Sequence, residues 1–424
     1  MIEIKPLANI NAIVTVPGSK SITQRALIAA ALADGNSTLL TPLASEDTAY
    51  TSAALKSMGI EVIEGGETWT VKGTGGRIDT PAEPIFLGNN GTATRFLTSV
   101  ASLGNGVFTI SGEKRMEERP ISPLMQALSG WGVDIKSIKG TGCPPLEIKA
   151  KGIAGGRTVL PEGKSSQYLS SLLLVAPYAS KQAILEVEGD VPSKPYVTMT
   201  LAVMRSFGIN VTANSLLNHF EIRQGSYQPQ TYQVEGDASS ASYFFAAAAV
   251  TGGTVTVANV RKPDISLQGD TALVKMLEQM GCSVNYKNGI TLTGPKELRG
   301  IEVDMGDCPD VAPTLAIVAA RAKGRTVIKN IAHLRIKECD RINAVATELT
   351  KMGARVEEKE DALIIEGIQA DAPMHGAEIE TYNDHRIAMC FGVAGLVVPG
   401  VTITNEKCVA KSFPDFWKRF ALLY

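Results

Sequence analysis

One pattern returns five times along the chain: a helix, a bulky residue, a glycine, then an alternating strand. The copies are LKSMGIEV (55–62), LSGWGVDI (128–135), MRSFGINV (204–211), LEQMGCSV (277–284) and LTKMGARV (349–356). Their glycines, Gly59, Gly132, Gly208, Gly281 and Gly353, are spaced by 73, 76, 73 and 72 residues. A glycine there suits the left-handed residue that closes a helix before the chain turns into a strand. A second series keeps nearly the same period. Turn residues precede an apolar helix at 17–33, 87–103, 161–177, 234–250, 304–320 and 382–398. From Gly18 to Gly88, Gly163, Gly236 and Gly306 the spacings are 70, 75, 73 and 70, and the sixth copy has Asn383-Asp384 instead of glycine. So constant a period in a chain of interleaved strands and helices predicts an α/β protein of two similar halves, three units in each.

Each unit reads strand, helix, strand, helix, strand, strand. In the first these are 13–16, 20–33, 38–42, 47–58, 61–63 and 69–72, with a hairpin across 64–68. The least periodic stretch, RQGSYQPQTYQVE at 223–235, separates three units from three and is the expected boundary. At 424 residues, 44% hydrophobic and 20% charged, the chain matches a globular protein of more than one domain. A net charge of −2 argues against nucleic-acid or membrane-surface partners, so any anion site must concentrate positive charge locally. Six cysteines without CxxC spacing, no leader and no bilayer-length apolar run predict free thiols and a cytoplasmic location.

The helix starts carry unusual residues. Pro17-Gly-Ser-Lys-Ser-Ile-Thr-Gln-Arg25 brings Lys20, Ser21 and Arg25 to the first, and Asn89, Asn90, Gly91, Thr92 and Arg95 open the second. Lys164, Ser165, Ser166 and Gln167 open the third, Asp237, Ser239 and Ser240 the fourth, Asp310 the fifth, and Asp384, His385 and Arg386 the sixth. A helix N-terminus repels cations, so Lys20, Arg95 and Arg386 there ask for an anion. Two further basic clusters are Arg115-Met-Glu-Glu-Arg119 and Leu334-Arg-Ile-Lys-Glu-Cys-Asp-Arg341. In the second, Lys337 and Arg341 at i, i+4 are expected on one helix face with Glu338 beside them. That face is either a salt-bridged surface or a carboxylate held among cations for proton transfer. His219, His333, His375 and His385 show no metal-ligand spacing, and neither a GxSxG elbow nor a dinucleotide fingerprint is present. What remains is cofactor-free chemistry on an anionic small molecule.

Taken together, PGSKSITQRAL, LGNNGTATR, RMEERPI, KSSQYL, GDVPSKPY, VEGDASSASYF, RIKECDRI, YNDHRIAMCF and AKSFPDF resemble, in order, the EPSP synthase (3-phosphoshikimate 1-carboxyvinyltransferase) family over essentially the whole chain. The resemblance implies an inverse α/β barrel fold of two domains, each of three βαβαββ units, with the active site in the interdomain cleft. Because the assigned binding groups come from both halves, closure on the substrates is expected. It implies a discontinuous domain of 1–18 with 236–424 and a continuous one of 19–235. The implied reaction moves the enolpyruvyl group of phosphoenolpyruvate to the 5-hydroxyl of shikimate 3-phosphate. No metal or cofactor is implied; the chain is expected to act as a monomer, with glyphosate as a competitive inhibitor. By the matching motifs Glu338 is the acid and Asp310 or Lys20 the base. Shikimate 3-phosphate is assigned to Lys20, Ser21, Arg25, Ser165, Ser166, Gln167, Ser193, Asp310, His333 and Lys337. Phosphoenolpyruvate is assigned to Lys20, Gly91, Arg119, Gln167, Arg341, Arg386 and Lys411.

Two positions depart from the family pattern. His333 stands where asparagine is common, and an imidazole there is expected to titrate near neutrality. Phe96 stands where many members have proline, and is expected to affect packing on the phosphoenolpyruvate side and glyphosate sensitivity. The related UDP-N-acetylglucosamine enolpyruvyltransferase is the nearest alternative, but it typically has asparagine after the N-terminal lysine, where this chain has Ser21. A non-catalytic anion-binding module is the alternative of another class.

Overall fold

The computed structural model describes residues 1–8, 10–161, 165–368 and 373–424. Gly163 and Lys164, expected at the third helix start, lie outside them. The chain forms two compact units, one of Gly18–Val234 and one of Met1–Pro17 with Glu235–Tyr424.

In the Gly18–Val234 unit the helices are α1 (Lys20–Leu32), α2 (Glu46–Ser57), α3 (Gly91–Ala101), α4 (Ser122–Gly130), α5 (Ser166–Val175) and α6 (Lys194–Ser206). Nearly every residue of α1, α3 and α5 is buried, their Ser, Thr and Arg side chains included, and the three helices pack on one another. Three four-stranded sheets surround them, each joining a parallel pair to two antiparallel strands. In one, Asn105–Ser111 lies parallel to Ile85–Phe86 and antiparallel to Leu146–Lys151, which Asp134–Ser137 flanks. Another is built alike from Gly156–Leu160, Ala183–Val187, His219–Ile222 and Thr212–Ala213. In the third, Asp34–Leu40 pairs in parallel with Thr231–Gln233, then with Thr68–Thr74, which Glu61–Gly65 flanks.

The other unit repeats the plan with α7 (Ala238–Thr251), α8 (Ala272–Gln279), α9 (Ala312–Ala320), α10 (Arg341–Lys351), α11 (His385–Gly395) and α12 (Phe416–Phe420). Here α7, α9 and α11 are the buried helices, and they pack on one another. Asn11–Val14 lies parallel to Thr254–Val257, whose Thr254 and Thr256 meet Thr293 and Thr291 across the sheet at 2.9 and 2.8 Å. A second sheet orders Glu302–Asp304, Arg325–Lys329, Leu363–Glu366 and Arg355–Glu358. The last has three strands, with Ile2–Glu3 antiparallel to Thr402–Ile403 and Glu378–Ile379 parallel to it.

All five closing glycines have positive φ, from +83° at Gly59 to +111° at Gly281, as their spacing predicts. The strand expected at 13–16 forms, at Asn11–Val14, but not in the first repeat's sheet. Its place there is taken by Thr231–Gln233, from within the stretch read as a boundary. That strand is three residues long and largely exposed, so it carries no alternation from which a sequence reading could find it. Among the described residues, no helix is long and apolar enough to cross a membrane.

Candidate functional site

In the Gly18–Val234 unit the helix starts are tied together by hydrogen bonds. Ser19 precedes α1 but its side chain caps nothing in it. Lys20 Nζ lies 3.0 Å from Oδ2 of Asp47, which is buried in the first turn of α2. The Asp47 carbonyl accepts from Asn90 Nδ2 at 2.7 Å and Gln24 Nε2 at 3.2 Å. Asn90 also caps α3, accepting from Ala93 N at 2.9 Å. Gln167 Nε2 donates to Thr92 Oγ1 at 3.1 Å, joining α5 to α3. Ser165 caps α5, Ser166 is buried in its first turn, and Ser193 precedes α6 in a left-handed conformation (φ +52°). Such backbone strain in a non-glycine residue is characteristic of ligand-gripping turns.

Three buried arginines stand at these starts. Arg119 donates through Nη1 to the Asn89 carbonyl and side-chain oxygens, each at 3.1 Å. Arg95 donates to the Gly91 carbonyl at 2.9 Å and the Pro120 carbonyl at 3.1 Å. Arg25 donates to Thr200 Oγ1 at 2.7 Å, the Ser21 carbonyl at 2.9 Å, Ser170 Oγ at 3.1 Å and the Tyr196 carbonyl at 3.3 Å. Burial pushes the Arg25 pKa down to about 10, leaving it charged at neutral pH. The Phe96 ring lies against Arg25, with the guanidinium carbon 5.2 Å from its centroid.

The second unit gathers an acid–base cluster at its own helix starts. Asp310 sits in the short 3₁₀ turn Pro309–Val311 that leads into α9. Its Oδ1 is 3.1 Å from Arg341 Nη1 and its Oδ2 2.6 Å from Arg386 Nη2, with Lys337 Nζ 3.8 Å away. Arg341 Nη2 also donates to Glu338 Oε2 at 2.8 Å, and its Nε to Asp384 Oδ2 at 2.7 Å. Burial opposes the Arg341 charge, yet Asp384, Glu338 and Asp310 together raise its pKa above the ordinary arginine value. Arg386 reaches Ser239 Oγ at 3.4 Å, and that hydroxyl contacts Asp270. Asp270 is fully buried, and burial with the nearby Asp310 charge lifts its pKa to about 6. Lys411, also buried, ends the 3₁₀ segment Glu406–Lys411.

Lys337 and Arg341 do not share a helix face. The 3₁₀ turn Ala332–Ile336 ends before Lys337, whose backbone is extended, and α10 begins afresh at Arg341. Asp340 makes that break, its side chain accepting from Asn343 N at 3.0 Å as the N-cap. Arg341 is thereby turned inward and is buried, not part of a surface ion-pair row. His333 also departs from expectation. Burial, then the Lys337 charge, lowers its pKa to about 4, against a smaller opposing pull from Asp310, so it does not titrate near neutrality.

The family profile described as EPSP synthase (3-phosphoshikimate 1-carboxyvinyltransferase) matches residues 4–420. The chain belongs to the EPSP synthase family. It is 44% identical to the 3-phosphoshikimate 1-carboxyvinyltransferase of Nostoc punctiforme over 415 residues, 97% of this chain and 96% of that one. The Shewanella amazonensis enzyme of the same name is also 44% identical, over 100% of this chain and 98% of its own. Among solved structures, EPSP synthase from Acinetobacter baumannii superposes with a TM-score of 0.82 at 30% identity, covering 99% of this chain and 97% of that one. The enolpyruvyl transferase NikO from Streptomyces tendae shares the fold, with a TM-score of 0.76 at 19% identity over 99% of this chain and 96% of its own.

In the Gly18–Val234 unit Lys20 and Asn90 meet through Asp47, and Gln167 meets Thr92; in the other unit Asp310, Lys337, Glu338, Arg341 and Arg386 meet. Sequence reasoning missed Asp47, Thr200, Ser170 and Asp270, which act as partners of those residues. Asp47 carries a local signal, since it follows Ser45 in a capping box completed by Thr48. Asp270 lies in the 3₁₀ turn Gly269–Thr271, where no spacing marks it.

Proposed function

We propose that the chain transfers the enolpyruvyl group of phosphoenolpyruvate to the 5-hydroxyl of shikimate 3-phosphate. One observation carries the chemistry: Arg341 holds Glu338 and Asp310 side by side at 2.8 and 3.1 Å, with Arg386 and Lys337 also on Asp310. Two carboxylates set among fixed cations suit one proton donor and one proton acceptor acting on anions. Glu338 protonates the methylene carbon of phosphoenolpyruvate, giving an oxocarbenium-like centre. The 5-hydroxyl oxygen attacks the adjacent cationic carbon, the one bonded to the phosphate oxygen, while Asp310 accepts the hydroxyl proton. The resulting adduct loses a methyl proton back to Glu338 as its C–O bond to phosphate breaks. The proton on Asp310 leaves with the released phosphate, so no net proton is gained or lost.

Lys20 is the alternative base, though its ion pair with Asp47 favours a role as a fixed charge. Shikimate 3-phosphate is assigned to Lys20, Ser21, Arg25, Ser165, Ser166, Gln167, Ser193, Asp310, His333 and Lys337. Phosphoenolpyruvate is assigned to Lys20, Gly91, Arg119, Gln167, Arg341, Arg386 and Lys411. Those cations offset the repulsion of two anionic substrates and the charge that develops on departing phosphate. On this reading glyphosate competes with phosphoenolpyruvate, and the chain works as a cytoplasmic monomer.

The test is phosphate release with shikimate 3-phosphate or a UDP-linked amino sugar as acceptor, in the wild type, Glu338→Ala and Asp310→Ala. Turnover is expected with shikimate 3-phosphate only, falling about 10²–10⁴-fold in each variant while the circular-dichroism spectrum is kept. Preference for the nucleotide sugar would overturn the substrate assignment, and near-normal turnover in both variants would overturn the roles.

A further inference from the structure

Among the described residues of the Gly18–Val234 unit, Arg25 is the most completely enclosed cation, at 1% exposure. Among the described residues no carboxylate lies within ion-pair distance of it, although a buried charge ordinarily needs such a partner. Four neutral acceptors take its hydrogen bonds: Thr200 Oγ1 on Nε, the Ser21 carbonyl on Nη1, and Ser170 Oγ with the Tyr196 carbonyl on Nη2. A guanidinium has five N–H groups. Among the described residues these acceptors leave one of them, on Nη1, without a protein partner.

Two aromatic faces occupy the positions where a carboxylate would otherwise stand. The Arg25 guanidinium carbon lies 5.2 Å from the Phe96 centroid and 5.9 Å from that of Tyr196. A ring face attracts a cation through its quadrupole without cancelling its charge. A carboxylate at the same place would neutralise the arginine and repel an incoming anion. Arg95, which also lacks a carboxylate within ion-pair distance among the described residues, sits 5.8 Å from the Tyr168 centroid in a similar arrangement.

We propose that Phe96 is a positioning residue for shikimate 3-phosphate: its ring fixes the plane of Arg25 and holds that cation un-neutralised, so that charge and one N–H remain for the anionic substrate. Phe96 is 1% exposed and acts through Arg25, not on the substrate itself. Its place on α3, four residues after Thr92, puts it on the inner side of that helix, against α1 and its Arg25. The inference rests on the substrate assignment above.

The experiment compares Phe96→Leu, Phe96→Tyr, Tyr196→Leu and Tyr196→Phe in steady-state kinetics with both substrates varied. Phe96→Leu keeps an apolar side chain but removes the ring face, whereas Phe96→Tyr keeps the face. Phe96→Leu is expected to raise KM for shikimate 3-phosphate about fivefold, with KM for phosphoenolpyruvate and kcat within about twofold. Phe96→Tyr and Tyr196→Phe should restore wild-type values, and Tyr196→Leu should give a smaller rise of the same kind. A Phe96→Leu enzyme whose two KM values rise together, or whose KM for shikimate 3-phosphate equals that of Phe96→Tyr, would overturn the proposal. Should the variant fold poorly, Tyr196→Leu against Tyr196→Phe decides, equal KM values for shikimate 3-phosphate again overturning it. Absence of activity with shikimate 3-phosphate in the wild type would instead overturn the substrate assignment.

Discussion

Gly91 is kept without a side chain by two arginines, not by its backbone angle. A Cβ there would stand 2.4 Å from Arg119 Nη2 and 2.5 Å from Arg95 Nη1, both belonging to buried side chains. The space beside Gly91 is therefore lined by guanidinium groups, and Gly91→Ala must displace at least one of them. We expect KM for phosphoenolpyruvate to rise about tenfold, about 1.4 kcal/mol, with that for shikimate 3-phosphate little changed, and glyphosate inhibition to weaken in parallel. Unchanged KM for phosphoenolpyruvate would show that neither arginine serves it. His333 gives a prediction of opposite character. Its pKa is about 4 in the folded chain against an ordinary 6.5, so the unfolded chain binds more protons between those values. Stability from the neutral imidazole is complete above about pH 6.5 and is lost as pH falls toward 4. His333→Asn should flatten the fall in Tm between pH 6.5 and 4.5, and should leave pH dependence between 7 and 8 unchanged. An equally steep fall in the variant would show that His333 titrates as an exposed imidazole. Neither result was legible in the sequence, which shows that Gly91 and His333 are present but not what encloses them.

At the level of helices and strands, the repeat was legible because helix closure is a local event. Each closing glycine needs only its own backbone angle, which no distant contact sets. The five nonetheless differ in surroundings. At Gly132 (φ +85°) an added Cβ would meet only the Ala154 methyl at 3.4 Å, whereas at Gly59 it would stand 2.2 Å from Asp79 Oδ2. Gly132→Ala should therefore cost only the left-handed penalty, about 1 kcal/mol, and Gly59→Ala clearly more. Urea denaturation checks this, and equal losses would mean that Asp79 swings away at no cost. The misplaced helix face at Lys337 and Arg341 has the opposite origin. Their four-residue spacing is compatible with a helix, but Asp340 is a strong N-cap immediately before Arg341 and restarts the helix there. Reading the cap ahead of the spacing would have turned Arg341 inward, toward Asp310 and Asp384.

For the whole chain, periodicity reports the order of elements but not which sheet each strand joins. Asn11–Val14 and Thr231–Gln233 stand at the head and tail of the first three repeats, and each pairs away from its neighbour in sequence. Two close approaches at glycines prepare the N-terminal segment's place: a Cβ at Gly253 would stand 2.6 Å from the Ile10 carbonyl, and one at Gly395 2.5 Å from the Ile4 side chain at Cβ. Ile4, Ile10, Val14 and Val16 are all buried in the core of the unit that ends at Tyr424. At about 1.5–3 kcal/mol for each buried side chain, their removal would cost as much as a typical domain's whole stability, about 5–15 kcal/mol. Residues 18–234 contain every strand of their own three sheets and should fold alone. Residues 235–424 lack the strands Ile2–Glu3 and Asn11–Val14 and should not. In urea, the first fragment is expected to unfold in one cooperative transition, and the second only after a peptide of residues 1–17 is added. A cooperative transition in 235–424 without that peptide would show that the N-terminal strands add to a core already complete.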